Sequence, residues 1–197
     1  MNRLRTIVIW IAAVAIAVAP IVAATTSPLL AWRSPIYTVA GLSGVIALSL
    51  LFLQPMLANG FLPGWSLRLQ RRVHRYVGIA LVLAVFIHLL GLWITSPPDV
   101  VDALLFVSAT SFSIWGVVAM WSVFITALIV MFRRKLGLSV RRWRLTHWCL
   151  ATVTVIGTVV HTLMIDGTMG YFSKIVICVC VVMATVLVLL KYAKKSH

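Results

Sequence analysis

The chain has 197 residues, 62% of them hydrophobic and only 10% charged, with a mean hydropathy of +1.10. A soluble domain carries about a quarter charged residues, so these charges are too few to clothe a globule in water, and most of the surface must face lipid. The formal net charge of +14 suits a nucleic-acid binder at first sight, but the basic residues fall in short clusters between long apolar runs. That is the pattern of a membrane bundle with short loops, and it leaves no soluble basic surface for reading nucleic acid.

In chain order, six apolar stretches are expected to cross the membrane, at 6–24, 36–58, 76–95, 112–132, 145–165 and 171–190. Each is about 18 to 23 residues long, enough for a hydrocarbon core of roughly 30 Å. The first, with Arg3 and Arg5 before it and Ala23-Ala24 near its end, also has features of a signal peptide. Its run is long for one, and a retained helix is expected. Turn residues separate the spans: Thr26-Ser27-Pro28, Asn59-Gly60 with Pro63-Gly64, Ser96-Pro97-Pro98-Asp99, the basic stretch 133–142, and Asp166-Gly167. The apolar stretch 100–111 follows two prolines and reads as an interfacial turn or an early start to the fourth span. No internal repeat stands out.

Charge sets the orientation. With the N-terminus in the cytoplasm, 15 of the 17 basic residues fall on the cytoplasmic side, leaving Arg33 and Lys174 outside with all three acids, Asp99, Asp102 and Asp166. The expected fold is therefore an all-α membrane protein, a six-transmembrane-helix bundle with both termini cytoplasmic. Cys149, Cys178 and Cys180 all lie in apolar segments. They are too few for a disulfide framework or a zinc site, and packing is their expected role.

Ionisable residues inside spans are costly and are functional candidates by default. The third span carries His74 and His88, and the fifth carries His147 and His161, 14 residues apart in each case. On a helix this spacing returns to nearly the same face after about 21 Å of rise. Two spans separated by one other run in the same direction, so His74 is level with His147 and His88 with His161. A single membrane histidine is ordinarily an interhelical hydrogen-bonding residue, and His74 and His147, beside arginines, suit that role taken alone. Two equally spaced pairs point instead to two haems, each iron ligated by two imidazoles. Zinc or copper also accepts imidazole, but ligands about 21 Å apart cannot share one ion. His197, in the tail, reads as a solvated end.

Other residues support this less directly. Gly78, Gly91 and Gly157 lie one turn from histidines, where a missing side chain suits either a macrocycle or close helix packing. Arg71, Arg72, Arg75, Arg141, Arg142 and Arg144 flank His74 and His147. Topology accounts for them, while Arg75 and Arg144 are best placed to pair with haem propionates. Trp65, Trp143 and Trp148 read as an interfacial belt, and Phe86, Trp93 and Trp115 chiefly as core packing.

The run Arg71-Arg72-Val73-His74-Arg75-Tyr76-Val77-Gly78 with His88, the segment Phe112-Ser113-Ile114-Trp115-Gly116, and Arg142-Trp143-Arg144-Leu145-Thr146-His147 with His161 together resemble the ferric reductase-like transmembrane domain. Ferric reductases, NADPH oxidases and the haem subunit of the periplasmic methionine sulfoxide reductase system share this domain. The resemblance covers about residues 36–190 and implies a b-type cytochrome with an inner haem between His74 and His147 and an outer haem between His88 and His161. It divides the chain into an N-terminal helix and first external loop (1–35), the haem-binding domain (36–190) and a short basic tail (191–197). It also implies electron transfer from the cytoplasmic side to an extracytoplasmic acceptor, ferric iron or a partner reductase, in a bacterial inner membrane. The 197 residues contain no Gly-rich dinucleotide fingerprint, so no FAD or NAD(P) site is expected, and the donor is expected to be a separate flavoprotein or a quinol. A non-enzymatic carrier of haem or metal, and the haem subunit of a sulfoxide reductase system, are the alternatives.

Overall fold

Six helices in the computed structural model, which describes residues 3–193, are long and apolar enough to cross a membrane. They are α1 (Arg3–Thr25), α2 (Pro35–Ala58), α3 (Leu67–Thr95), α5 (Ser111–Phe132), α6 (Val140–Met164) and α7 (Tyr171–Ala193), with a short α4 (Pro97–Leu104) between the third and fourth. No strand occurs among the described residues. Helix is the natural state here, because in lipid every backbone N–H and C=O must be satisfied within its own segment. The chain is a multi-pass integral membrane protein. His197, Lys194 and Lys195, on which part of the tail reading rests, lie outside the described residues.

Local chemistry sets the helix starts. Ser34 caps α2, its hydroxyl accepting the Tyr37 N–H at 3.2 Å, with Pro35 at the first helical position, where a missing N–H costs nothing. Ser66 accepts the Leu69 N–H at 3.3 Å at the head of α3, and Ser139 accepts the Arg142 N–H at 3.3 Å at the head of α6. Both helices therefore begin earlier than the spans expected from hydropathy. Their first turns carry arginines that depress hydropathy without disturbing the helix, so His74 and His147 sit well inside α3 and α6. The stretch after Pro97-Pro98 forms α4 as a separate helix and then a turn in which Phe106 adopts a positive φ of 61°. It is not an early start to α5.

The described chain forms two compact units. One runs to Gly91 and resumes at Asp166; the other spans Leu92–Ile165. In the first, α1, α2 and α7 pack on one another. The buried residues of α1 are Ala13, Ala17, Pro20 and Ala24, and the three alanines let membrane helices approach closely. Ile177 and Val181 of α7 are fully buried. Ala13, Leu57 and Leu62 form a cluster with Trp10, Val73 and Val77 around it, tying α3 to α1 and α2. The Trp10 indole donates to the Pro63 carbonyl at 2.9 Å and lies 4.6 Å from the Trp65 ring. Gln70, 2% exposed, accepts from the Leu62 N–H and donates to the carbonyls of Leu62 and Trp65. One amide thus ties down the α2–α3 connector at Leu62 and Trp65.

Lys174, an exception to the charge asymmetry, is 5% exposed and ion-paired with Asp166 at 3.3 Å. It is a buried structural cation rather than a loop charge. The three cysteines are free, but Cys149 is exposed rather than buried.

In the second unit, α5 and α6 form an antiparallel pair, with α4 against α5. Their crossing is close at Gly157, where a methyl group would stand 2.9 Å from the Trp115 carbonyl oxygen and 3.1 Å from Ala119 Cβ. In the first unit, Gly91 meets Ala40 of α2 in the same way, at 2.7 Å. Both glycines are filled by a neighbouring helix, which favours packing over room for a macrocycle. Phe86, Trp93 and Trp115 are 53%, 45% and 39% exposed, so they are not core residues. In a bilayer a large apolar side chain loses little by facing outward, and hydrophobicity alone does not send it inside.

Candidate functional site

The four histidines occupy equivalent positions on their helices. His74 and His147 each lie seven residues after the first residue of their helix, Leu67 and Val140, and His88 and His161 each lie 14 residues further on. The match extends to sequence once the helix starts are known: Ser66-x-Arg68-x-x-Arg71-x-x-His74 repeats as Ser139-x-Arg141-x-x-Arg144-x-x-His147. A repeated half was not visible beforehand, because the shared residues are few and only the serine caps set their register. In this register Arg144 corresponds to Arg71 rather than Arg75, whose counterpart is Trp148.

All four rings are half-buried, and each is held by a neighbour in its own unit. In the first unit, His74 Nδ1 lies 3.2 Å from the Gln54 carbonyl oxygen, and the Gln54 side-chain amide is 3.5 Å from the His74 carbonyl in return. His88 Nδ1 lies 2.7 Å from the Ala40 carbonyl oxygen, also on α2. In the second unit, His161 Nδ1 lies 2.9 Å from the carbonyl oxygen of Phe112 on α5. The fourth, His147, stacks on Trp143 one turn earlier, with centroids 5.0 Å apart and planes 29° apart, while the Arg133 guanidinium lies 5.4 Å from the Trp143 ring centroid. Trp143 thus stacks on a histidine.

These contacts have a chemical consequence. A carbonyl oxygen only accepts, so Nδ1 of His74, His88 and His161 must carry the proton. In a neutral imidazole that leaves the lone pair on Nε2, the nitrogen available to a metal, and a second-shell carbonyl is the usual device for fixing this tautomer and the ring plane. The donor set therefore fits haem iron. Among the described residues no three histidine, cysteine or carboxylate side chains gather into one cluster, as a zinc or copper shell built from protein alone requires. Arg75 and Arg144 are exposed beside the histidines at this end of their helices.

Two further glycines lie against histidine rings, and one of them, Gly116, closes the segment 112–116. Gly44 faces the His88 ring and Gly116 the His161 ring. The available signal is a short repeat, Gly44-Val45-x-Ala47 and Gly116-Val117-x-Ala119, each four residues after the carbonyl that holds the histidine.

A family model described as "Ferric reductase like transmembrane component" matches residues 40–158. The matched segment runs from Ala40 through His74, His88, Phe112 and His147, and stops three residues before His161. No curated protein and no solved structure matches the chain.

Proposed function

Because the chain belongs to the ferric reductase-like transmembrane family, we propose that it is a di-haem b-type cytochrome subunit that moves electrons across the membrane. His74 and His147 are the axial ligands of one haem, and His88 and His161 those of the other. The observation that carries this reading is the commitment of Nδ1 to a backbone carbonyl at His74, His88 and His161, which presents Nε2 as a ligand. Equal register on α3 and α6 supports the pairing. Haem, when bound, supplies a one-electron iron couple in a medium that otherwise carries no charge.

The chain's own residues do the rest. The carbonyls of Gln54, Ala40 and Phe112 fix the Nδ1–H tautomer and the orientation of their histidines, Trp143 holds the ring of His147, and Arg75 and Arg144 offer guanidinium groups to propionates. The basic ends of α3 and α6 mark the cytoplasmic, electron-entry side. The donor is a separate flavoprotein or a quinol, and the acceptor is extracytoplasmic, ferric iron or a partner reductase.

Pyridine haemochrome analysis and electron paramagnetic resonance of the full chain, purified from haem-replete cells, test this. The expected result is two low-spin, bis-histidine haems b per chain. Substituting His74 or His147 by alanine should remove one of them, and substituting His88 or His161 the other. A folded but colourless protein would overturn the proposal.

A further inference from the structure

Glycine inside a helix sacrifices helix propensity, and two of these glycines sit against histidine rings rather than helix backbones. A methyl group on Gly116 would stand 2.8 Å from Nδ1 and 2.9 Å from Cε1 of His161. On Gly44 it would stand 3.0 Å from Nδ1 and 3.2 Å from Cε1 of His88. In each case the histidine donates to the carbonyl one turn earlier on the same helix, Phe112 and Ala40 respectively. The device is thus the same in both units: a carbonyl at one position, a glycine four residues on, and an imidazole laid across the gap.

We infer that Gly44 and Gly116 are positioning residues, which admit the rings of His88 and His161 to the carbonyls of Ala40 and Phe112 and so set the Nδ1–H tautomer that presents Nε2. The carbonyl alone does not suffice. A side chain at the glycine meets the ring at the nitrogen that must donate, and it forces the imidazole away from its acceptor. The geometry ranks the two sites: the contact at Gly116 is tighter, and alanine there must displace His161, whereas at Gly44 a small adjustment of His88 relieves part of the clash. Gly78 is the contrast. There a methyl group would meet only the Gln54 amide nitrogen, at an ordinary 3.5 Å.

The consequence for haem rests on the proposed function, but the tautomer does not, and the test separates them. Nitrogen-15 histidine spectra of the haem-free chain in lipid nanodiscs should show His88 and His161 protonated at Nδ1. Gly116→Ala should lose that signature for His161, and Gly44→Ala should weaken it for His88. In haem-loaded protein, Gly116→Ala should weaken the His88–His161 haem by about 10- to 100-fold, the usual loss for a second-shell partner, with a smaller loss for Gly44→Ala. The other haem and Gly78→Ala should be unaffected. Unchanged tautomers and haem content in Gly116→Ala would overturn the inference. So would equal loss of both haems, which would assign the glycines to folding. A wild-type chain that binds no haem removes the functional proposal and leaves the tautomer measurement to decide this one.

Discussion

Phe112 holds His161 in two ways: its carbonyl oxygen lies 2.9 Å from the imidazole Nδ1, and its ring meets the imidazole edge-on, with centroids 5.7 Å apart. The first contact fixes which nitrogen carries the proton, and the second restrains the ring plane. His88 has only the carbonyl of this pair, because Ala40 stands where Phe112 does.

Phe112→Leu keeps the carbonyl and removes the ring. An edge-to-face aromatic pair contributes roughly 0.5–1.5 kcal/mol beyond its buried area. Haem affinity at the His88–His161 level should therefore fall by about two- to tenfold, without loss of the low-spin signature. Haem retention during dilution, compared with wild type, measures this. A complete loss would mean that the ring, rather than the carbonyl, holds the histidine.

At the other end of α6, the Trp143 stack orients His147. Trp143→Ala should broaden or shift the resonance of the His74–His147 haem and weaken its binding by roughly 0.5–1.5 kcal/mol. Trp143→Phe, which keeps a stacking face, should recover most of the wild-type signal. If the alanine and phenylalanine variants behave alike, Trp143 serves only as an interface anchor.

Gln70 offers a stability test that leaves the ligands untouched. Gln70→Leu has similar bulk but strips partners from the Leu62 N–H and from the Leu62 and Trp65 carbonyls. An orphaned buried backbone group costs about 1–3 kcal/mol, so the thermal midpoint should fall by several degrees. Haem stoichiometry at low temperature should stay at the wild-type value. An unchanged midpoint would show that the connector is held by other contacts, such as the Trp10 bond to Pro63.

Orientation can be read directly by labelling single cysteines in a chain whose three native cysteines have been replaced. Positions in the connectors 59–66 and 133–139 should react from the cytoplasmic side, and positions in 26–34 and 166–170 from the opposite side. The reverse pattern would refute the charge-based assignment and reverse the proposed direction of electron flow.

The spans, their number and the 14-residue spacing of the histidines were legible in the sequence, because each is a local property. Apolar length reports on the bilayer, and helical periodicity converts spacing into a shared face. The helices α3 and α6 begin before the apolar stretches do, since hydropathy measures only the hydrocarbon-facing part of a helix and is blind to turns rich in arginine. Their first turns are set by the serine caps Ser66 and Ser139.

What only the tertiary structure decided is how each histidine is held. Ala40, Gln54 and Phe112 contribute through their backbone carbonyls, a group every residue possesses, so no side-chain pattern distinguishes Ala40 and Gln54, and the segment 112–116 that begins at Phe112 does not reveal that its carbonyl holds a histidine. Gly44 and Gly116 contribute by what they lack, and the absence of a side chain acquires meaning only when another helix brings an imidazole against it. By itself the sequence determined that two apolar helices each carry two histidines 14 residues apart; packing of α3 on α2 and of α6 on α5 decided which nitrogen three of them present.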